Sequence, residues 1–249
     1  MATLVSFTLD NLGDAADLHR GVISSPRATG TNPAFEIGYP ALLELSTEFG
    51  IPLTYFIEGW SAEHYPQELK HILKLGHEIG MHGWQHENWA EIEASVTRDL
   101  IVKATESIRR ATGVSPTAFR APGGVSTPHT RKLLAELGYT IDASHTPDGW
   151  VRTETSRLVC IPYTWEGVDA SHWLWEKKSC EEVEDIWFRA LEKAADEGRH
   201  FVFIWHPHVM GLDPAKLETG RRLIRFVQAS DRYRVVRLSA IRNRALTFS

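Results

Sequence analysis

LVSFTLD at residues 4–10 is an apolar, β-rich run that stops on a carboxylate, Asp10, with Asn11, Gly13 and Asp14 following at once. Such a run bounded by turn residues reads as a strand, and the charged group sits at its C-terminal end. The pattern recurs along the chain. PLTYFIE at 52–58 ends on Glu58, the strand at 77–82 on His82, TAFRAP at 117–122 carries Arg120, YTIDAS at 139–144 carries Asp142, and FVFIWHP at 201–207 carries His206. LVCIPY at 158–163 and YRVVRL at 233–238 complete about eight strands. Amphipathic helical stretches fit between most of them, at 35–49, 64–75, 91–112, 128–137, 180–197 and 215–229, the second stopping before Gly76 and the third at Gly113. Strands alternating with helices predict a parallel α/β fold. Catalytic groups in such folds are presented at the strands' C-terminal ends, so the six polar residues are expected on one rim.

The bulk properties limit what that rim can do. A chain of 249 residues, 43% hydrophobic, can bury one large core, and one domain over 1–249 is expected. A net charge of -5 leaves no basic footprint for nucleic acid. The N-terminus MATLVSFTLDN has no basic region followed by an apolar stretch, and no run approaches the roughly 20 apolar residues of a membrane helix. A cytoplasmic enzyme without membrane partners is therefore expected; no motif specifies its oligomeric state, and a homo-oligomer stays open. Cys160 and Cys180 read as reduced and structural. The segment 143–179 is the longest without helical period, and a loop of that length in a compact domain is often functional. Trp150, Trp165, Trp173 and Trp175 lie in it and are expected to shape a pocket. Of the other tryptophans, Trp84 and Trp205 adjoin the polar strand ends, where flat aromatic faces suit sugar rings or heterocycles.

Each candidate has a plain structural alternative. His82 and His86 in HGWQHE have the i, i+4 spacing that can aim two imidazoles at one cation. Twelve histidines in 249 positions give roughly 0.6 such pairs by chance, so two solvent-facing histidines stay open as the alternative. Asp10 is either a turn aspartate or a general base for water. A nearby metal would lower the water's pKa and keep Asp10 ionised. Arg120, before a Pro-Gly-Gly turn, is either a surface arginine or a fixed guanidinium that orients Asp10. His206, after five apolar residues and before Pro207, is either a core histidine or a general acid whose tautomer a carboxylate such as Asp142 would hold.

In order and spacing these motifs resemble the polysaccharide deacetylase family, also called the NodB-homology family or carbohydrate esterase family 4, over nearly the whole chain. FTLDN, HGWQHE, Arg120-Ala-Pro-Gly-Gly, Asp142 and His206 in WHPHVMG stand at the positions of the family's successive motifs. GHEIGMHGWQHE and LAELGYTIDAS are similar to the branch with peptidoglycan deacetylase-like, allantoinase and cyclic-imide hydrolase proteins. The resemblance implies a deformed (β/α) barrel of about seven strands. It implies Asp10, His206, Arg120 and Asp142 as catalytic residues, with Trp84, Pro122, Gly123 and Trp205 around the substrate. It also implies a divalent metal, zinc by type, on His82, His86 and Asn11. Asn11 departs from the family, since an aspartate is usual there; a neutral amide oxygen weakens a zinc-type site, and Asp14 is the alternative ligand. The implied reaction is N-deacetylation of an N-acetylated sugar or small metabolite. A cyclic imide or ureide hydrolase, with or without metal, is the second reading, and an inactive carbohydrate-binding protein the third.

Overall fold

A computed structural model of the chain describes residues 1–155 and 157–247. Its strands are β1 (Thr3–Asp10), β2 (Leu53–Ile57), β3 (Glu78–Met81), β4 (Ala118–Phe119), β5 (Ile141–Asp142), β6 (Arg152–Thr153), β7 (Val159–Cys160), β8 (Phe201–Trp205) and β9 (Tyr233–Val235). They form one sheet in the order β6-β7-β5-β4-β3-β2-β1-β8, with β9 also paired to β1. All neighbours run parallel except the edge strand β6, which is antiparallel to β7. A single bridge between Val168 and Ile204 of β8 ties the chain beyond β7 back to the opposite end of the sheet. The sheet is thus curled into a deformed (β/α) barrel. The eight runs read as strands are all strands, and β6 was not foreseen.

Helices α1 (Ala15–His19), α2 (Tyr39–Glu48), α3 (Gly59–His64), α4 (Pro66–Lys74), α5 (Ala94–Thr112), α6 (Pro128–Glu136), α7 (Cys180–Asp196), α8 (Pro214–Gln228) and α9 (Leu238–Thr247) fill the connections. The helix expected at 64–75 is α4, and it starts at Pro66 because Tyr65, which precedes the proline, is driven out of the helical region, to φ -126 and ψ 48; the short α3 before it was not expected. Gly113 ends α5 at φ 78, a left-handed cap that glycine adopts without strain. At α7, Ser179 and Glu182 cap each other's backbone N–H reciprocally, which sets the start of the helix that backs β8. No described helix is long and apolar enough to cross a membrane.

Strand alternation decides which side chains reach the barrel interior. On β1, Phe7 packs outward against Phe203 (centroids 5.2 Å apart) and Trp205 (4.9 Å), while Thr8 and Asp10 turn inward to Arg120. On β8 the same period puts Phe203 and Trp205 against Trp187 of α7. Trp205 is therefore a core residue, 1% exposed, rather than a pocket wall. Its neighbour His206 faces the opposite way.

Candidate active site

Arg120 organises the centre of the rim. Its side chain is 1% exposed; Nη1 donates to Asp10 Oδ1 (2.6 Å) and Thr8 Oγ1 (2.8 Å), and Nε to the Ala143 carbonyl (3.1 Å). The guanidinium lies 4.1 Å from the centroid of the Phe56 ring. One oxygen of Asp10 is thereby fixed, and the other, Oδ2, is left 3.8 Å from His82 Nε2. Arg120 and Asp10 meet as the sequence predicts.

His82 donates through Nδ1 to the Arg120 carbonyl at 2.9 Å, because a carbonyl can only accept; the neutral ring then carries its lone pair on Nε2. His86 stands beside it, ring centroids 4.9 Å apart and nearly perpendicular. Burial pushes both imidazoles down, His86 to about 2 with further help from His82 and Arg20, so both are neutral donors. Asn11 and His86 have φ 68 and 69, left-handed values that cost a non-glycine residue about 1 kcal/mol or more. Asn11 Oδ1 is buried with no hydrogen-bond partner. Two neutral imidazoles and a bare amide oxygen fit a divalent ion in donor type.

Arg20 bears on that fit. Its Nη2 lies 3.4 Å from His86 Nδ1, and guanidinium can only donate. While that contact holds, the neutral ring carries its proton on Nε2 and has no lone pair for an ion. Asp14 is not the substitute ligand: Oδ1 accepts from Arg27 Nη1 (2.5 Å) and Asn32 Nδ2 (2.7 Å), and Oδ2 from the Arg27 N–H (2.7 Å). It anchors the loop after α1 instead.

His206 has a partner that the sequence reading missed. Asp169, fully buried, accepts from His206 Nδ1 at 2.6 Å and from its backbone N–H at 2.8 Å. Burial works against the imidazolium, but the attraction of Asp169 and then Asp10 exceeds it, and the pKa is raised. Asp142 does not hold His206. Its Oδ1 accepts from Ser144 Oγ (2.6 Å) and N–H (3.1 Å), and Ser144 Oγ accepts from the Ala121 N–H (2.9 Å). Asp142, the last residue of β5, thus braces the turn after Arg120 rather than His206.

Asp10, Asn11, His82, His86 and His206 line one cavity of about 250 Å³. Gly123 and Gly124 form part of its wall at φ 73 and 87; a Cβ on Gly124 would stand 2.3 Å from the Tyr163 hydroxyl. Of the other residues expected around substrate, Pro122 is buried against Gly83, and Trp84 lies outside with Lys103 Nζ 3.5 Å over its ring. The aromatic wall comes from Trp165 and Trp175, both in the 143–179 segment.

Glu58, at the end of β2, lies behind the site rather than in it. Its Oε2 accepts from the Leu12 N–H and Ser61 Oγ, and burial raises its pKa to about 7. A carboxyl whose folded pKa exceeds its unfolded value costs stability as pH rises from about 4.5 to 7, here on the order of 3 kcal/mol. Glu58→Gln is expected to remove that loss, so urea unfolding should favour the variant at pH 8 and not at pH 4.

The barrel and the paired groups on its rim are similar to the scaffold of polysaccharide deacetylases. Residues 32–141 match the family model described as polysaccharide deacetylase, and the chain is related to that family in sequence and fold. A peptidoglycan deacetylase of Helicobacter pylori is 33% identical over 138 residues, which is 55% of this chain and 46% of that protein. The aligned part thus spans less than half of that relative. A structure from Mycobacterium smegmatis, described as a candidate polysaccharide deacetylase, superposes with TM-score 0.84 at 25% identity, covering 99% of this chain and 91% of the other. Puue allantoinase superposes with TM-score 0.82 at 21% identity, covering 97% and 89%, a likeness of fold alone.

Proposed function

We propose that the chain hydrolyses a non-peptide C–N bond, by N-deacetylation of an N-acetylated sugar or small N-acyl metabolite. The observation that carries this is one cavity holding a carboxylate and an imidazole, each held by its own charged partner: Asp10 by Arg120, and His206 by Asp169. Asp10 takes a proton from water, whose oxygen adds to the acyl carbon. His206, protonated, then gives its proton to the nitrogen as the C–N bond breaks, releasing carboxylate and amine. His82, His86 and Asn11 would hold a divalent ion, zinc by donor type, once Arg20 has left His86. When bound, it supplies Lewis-acid polarisation of the carbonyl.

A cyclic amide or ureide is the second reading. The cavity, at about 250 Å³, lies below the roughly 300–1,000 Å³ usual for drug-sized ligands, and a single small ring suits it. Acetate release from N-acetylated sugars, run beside ring opening of cyclic imides and ureides, separates the two. Turnover of neither series, with sugar binding retained, would leave only a binding protein.

The metal is tested separately. Asn11→Asp restores an anion beside two neutral imidazoles, and Asp is at ease at positive φ. Calorimetric titration with Zn²⁺ is expected to show affinity at least about tenfold tighter than wild type, a gain of about 1.4 kcal/mol. Unchanged affinity would remove Asn11 from the ligand set.

A further inference from the structure

Counting charge around the cavity leaves one group without an opposite. Asp10 is paired with Arg120, and Asp169 with His206. Arg20, the residue that ends α1, lines the same cavity, and among the described residues it has no carboxylate within ion-pair distance. Its neighbour Arg27 shows the contrast, with Asp14 and Asp17 both bound to its guanidinium. Arg20 instead rests on the His86 Nδ1 at 3.4 Å, a long and weak contact that leaves most of its five donors free.

From this, and resting on the amide-hydrolase reading, we infer that Arg20 is a specificity residue that selects substrates carrying a carboxylate in addition to the scissile acyl amide. A planar guanidinium forks onto a carboxylate through two parallel N–H bonds, which fixes orientation as well as charge. Trp165 and Trp175, which line the same cavity with ring centroids 5.5 Å apart, offer apolar faces to the rest of a small molecule. The preference cannot come from Arg120, whose side chain is 1% exposed and committed to Asp10. Drawing Arg20 onto a substrate carboxylate also releases His86 Nδ1, so substrate entry and the freeing of an imidazole donor are one movement.

The test uses the wild-type chain and two probes that differ by one charge, N-acetylglycine and N-acetylglycinamide, titrated by calorimetry at low salt. N-acetylglycine is expected to bind at least about tenfold tighter, and the advantage should shrink as ionic strength rises. In Arg20→Gln the two probes should bind equally, and Arg20→Lys should recover part of the difference through charge without the fork. Equal affinities in the wild type, or a preference that survives in Arg20→Gln, overturns the inference. Acetate release is measured in parallel on carboxylated and neutral N-acetyl compounds. A charge preference in binding with no release from any of them would defeat the deacetylase reading while leaving Arg20 as the carboxylate anchor.

Discussion

Asp10→Asn is expected to lower kcat by about 10³-fold, within the range that a lost general base produces. The substitution keeps shape and leaves an amide oxygen for Arg120 Nη1, but removes the carboxylate oxygen standing 3.8 Å from His82 Nε2. It also strands Arg120, a guanidinium 1% exposed, without its counter-charge; breaking a buried pair in this way costs on the order of 3–5 kcal/mol of stability. Activity must therefore be read on protein shown to be folded, by circular dichroism well below its melting temperature. A second variant separates the effects. Arg120→Met removes the partner and leaves the Asp10 carboxyl in place but loosely held, so it should lose stability comparably while retaining more of kcat than Asp10→Asn. Folded Asp10→Asn protein with kcat near wild type would end Asp10's role as base.

How far the site could be read beforehand follows from the geometry of strands. Residues that end apolar runs, such as Asp10, His82 and His206, were legible because a parallel barrel presents strand ends on one rim, and Arg120 meets Asp10 for the same reason. The aromatic residues misled where adjacency in sequence was taken for adjacency in space. Trp205 is one residue from His206, and in a strand one residue is enough to point to the opposite face. Trp84 sits in a turn that swings toward α5 and Lys103. Asp14, the alternative ligand to Asn11, has its oxygens taken by Arg27 and Asn32, more than ten residues on. Asp169 could not be found from periodicity, since it lies in the irregular 143–179 segment. What brings it to His206 is the lone bridge between Val168 and Ile204, a tertiary contact with no local signature.

That bridge makes Asp169→Asn the more informative of the large-effect variants. Asp169 holds His206 by two hydrogen bonds and is the leading reason the imidazolium survives in a buried place. As an acid, His206 works only while protonated, so turnover declines as pH rises through its raised pKa. With asparagine at 169 one acceptor oxygen is replaced by an NH2 donor, so only one of the two hydrogen bonds to His206 survives; burial is then opposed by Asp10 alone and the imidazole falls back. The descending limb of kcat/KM against pH is expected to move to lower pH, and kcat at neutral pH to drop about 10²-fold or more. Stability carries the same sign. A histidine whose folded pKa exceeds its unfolded value of about 6.5 contributes stability that is full below that pH and is lost as pH rises through the folded pKa. The variant's deficit in urea unfolding should therefore be largest in acid and shrink toward alkaline pH. A lower kcat with an unmoved descending limb would mean that Asp169 merely braces the loop and that another group delivers the proton.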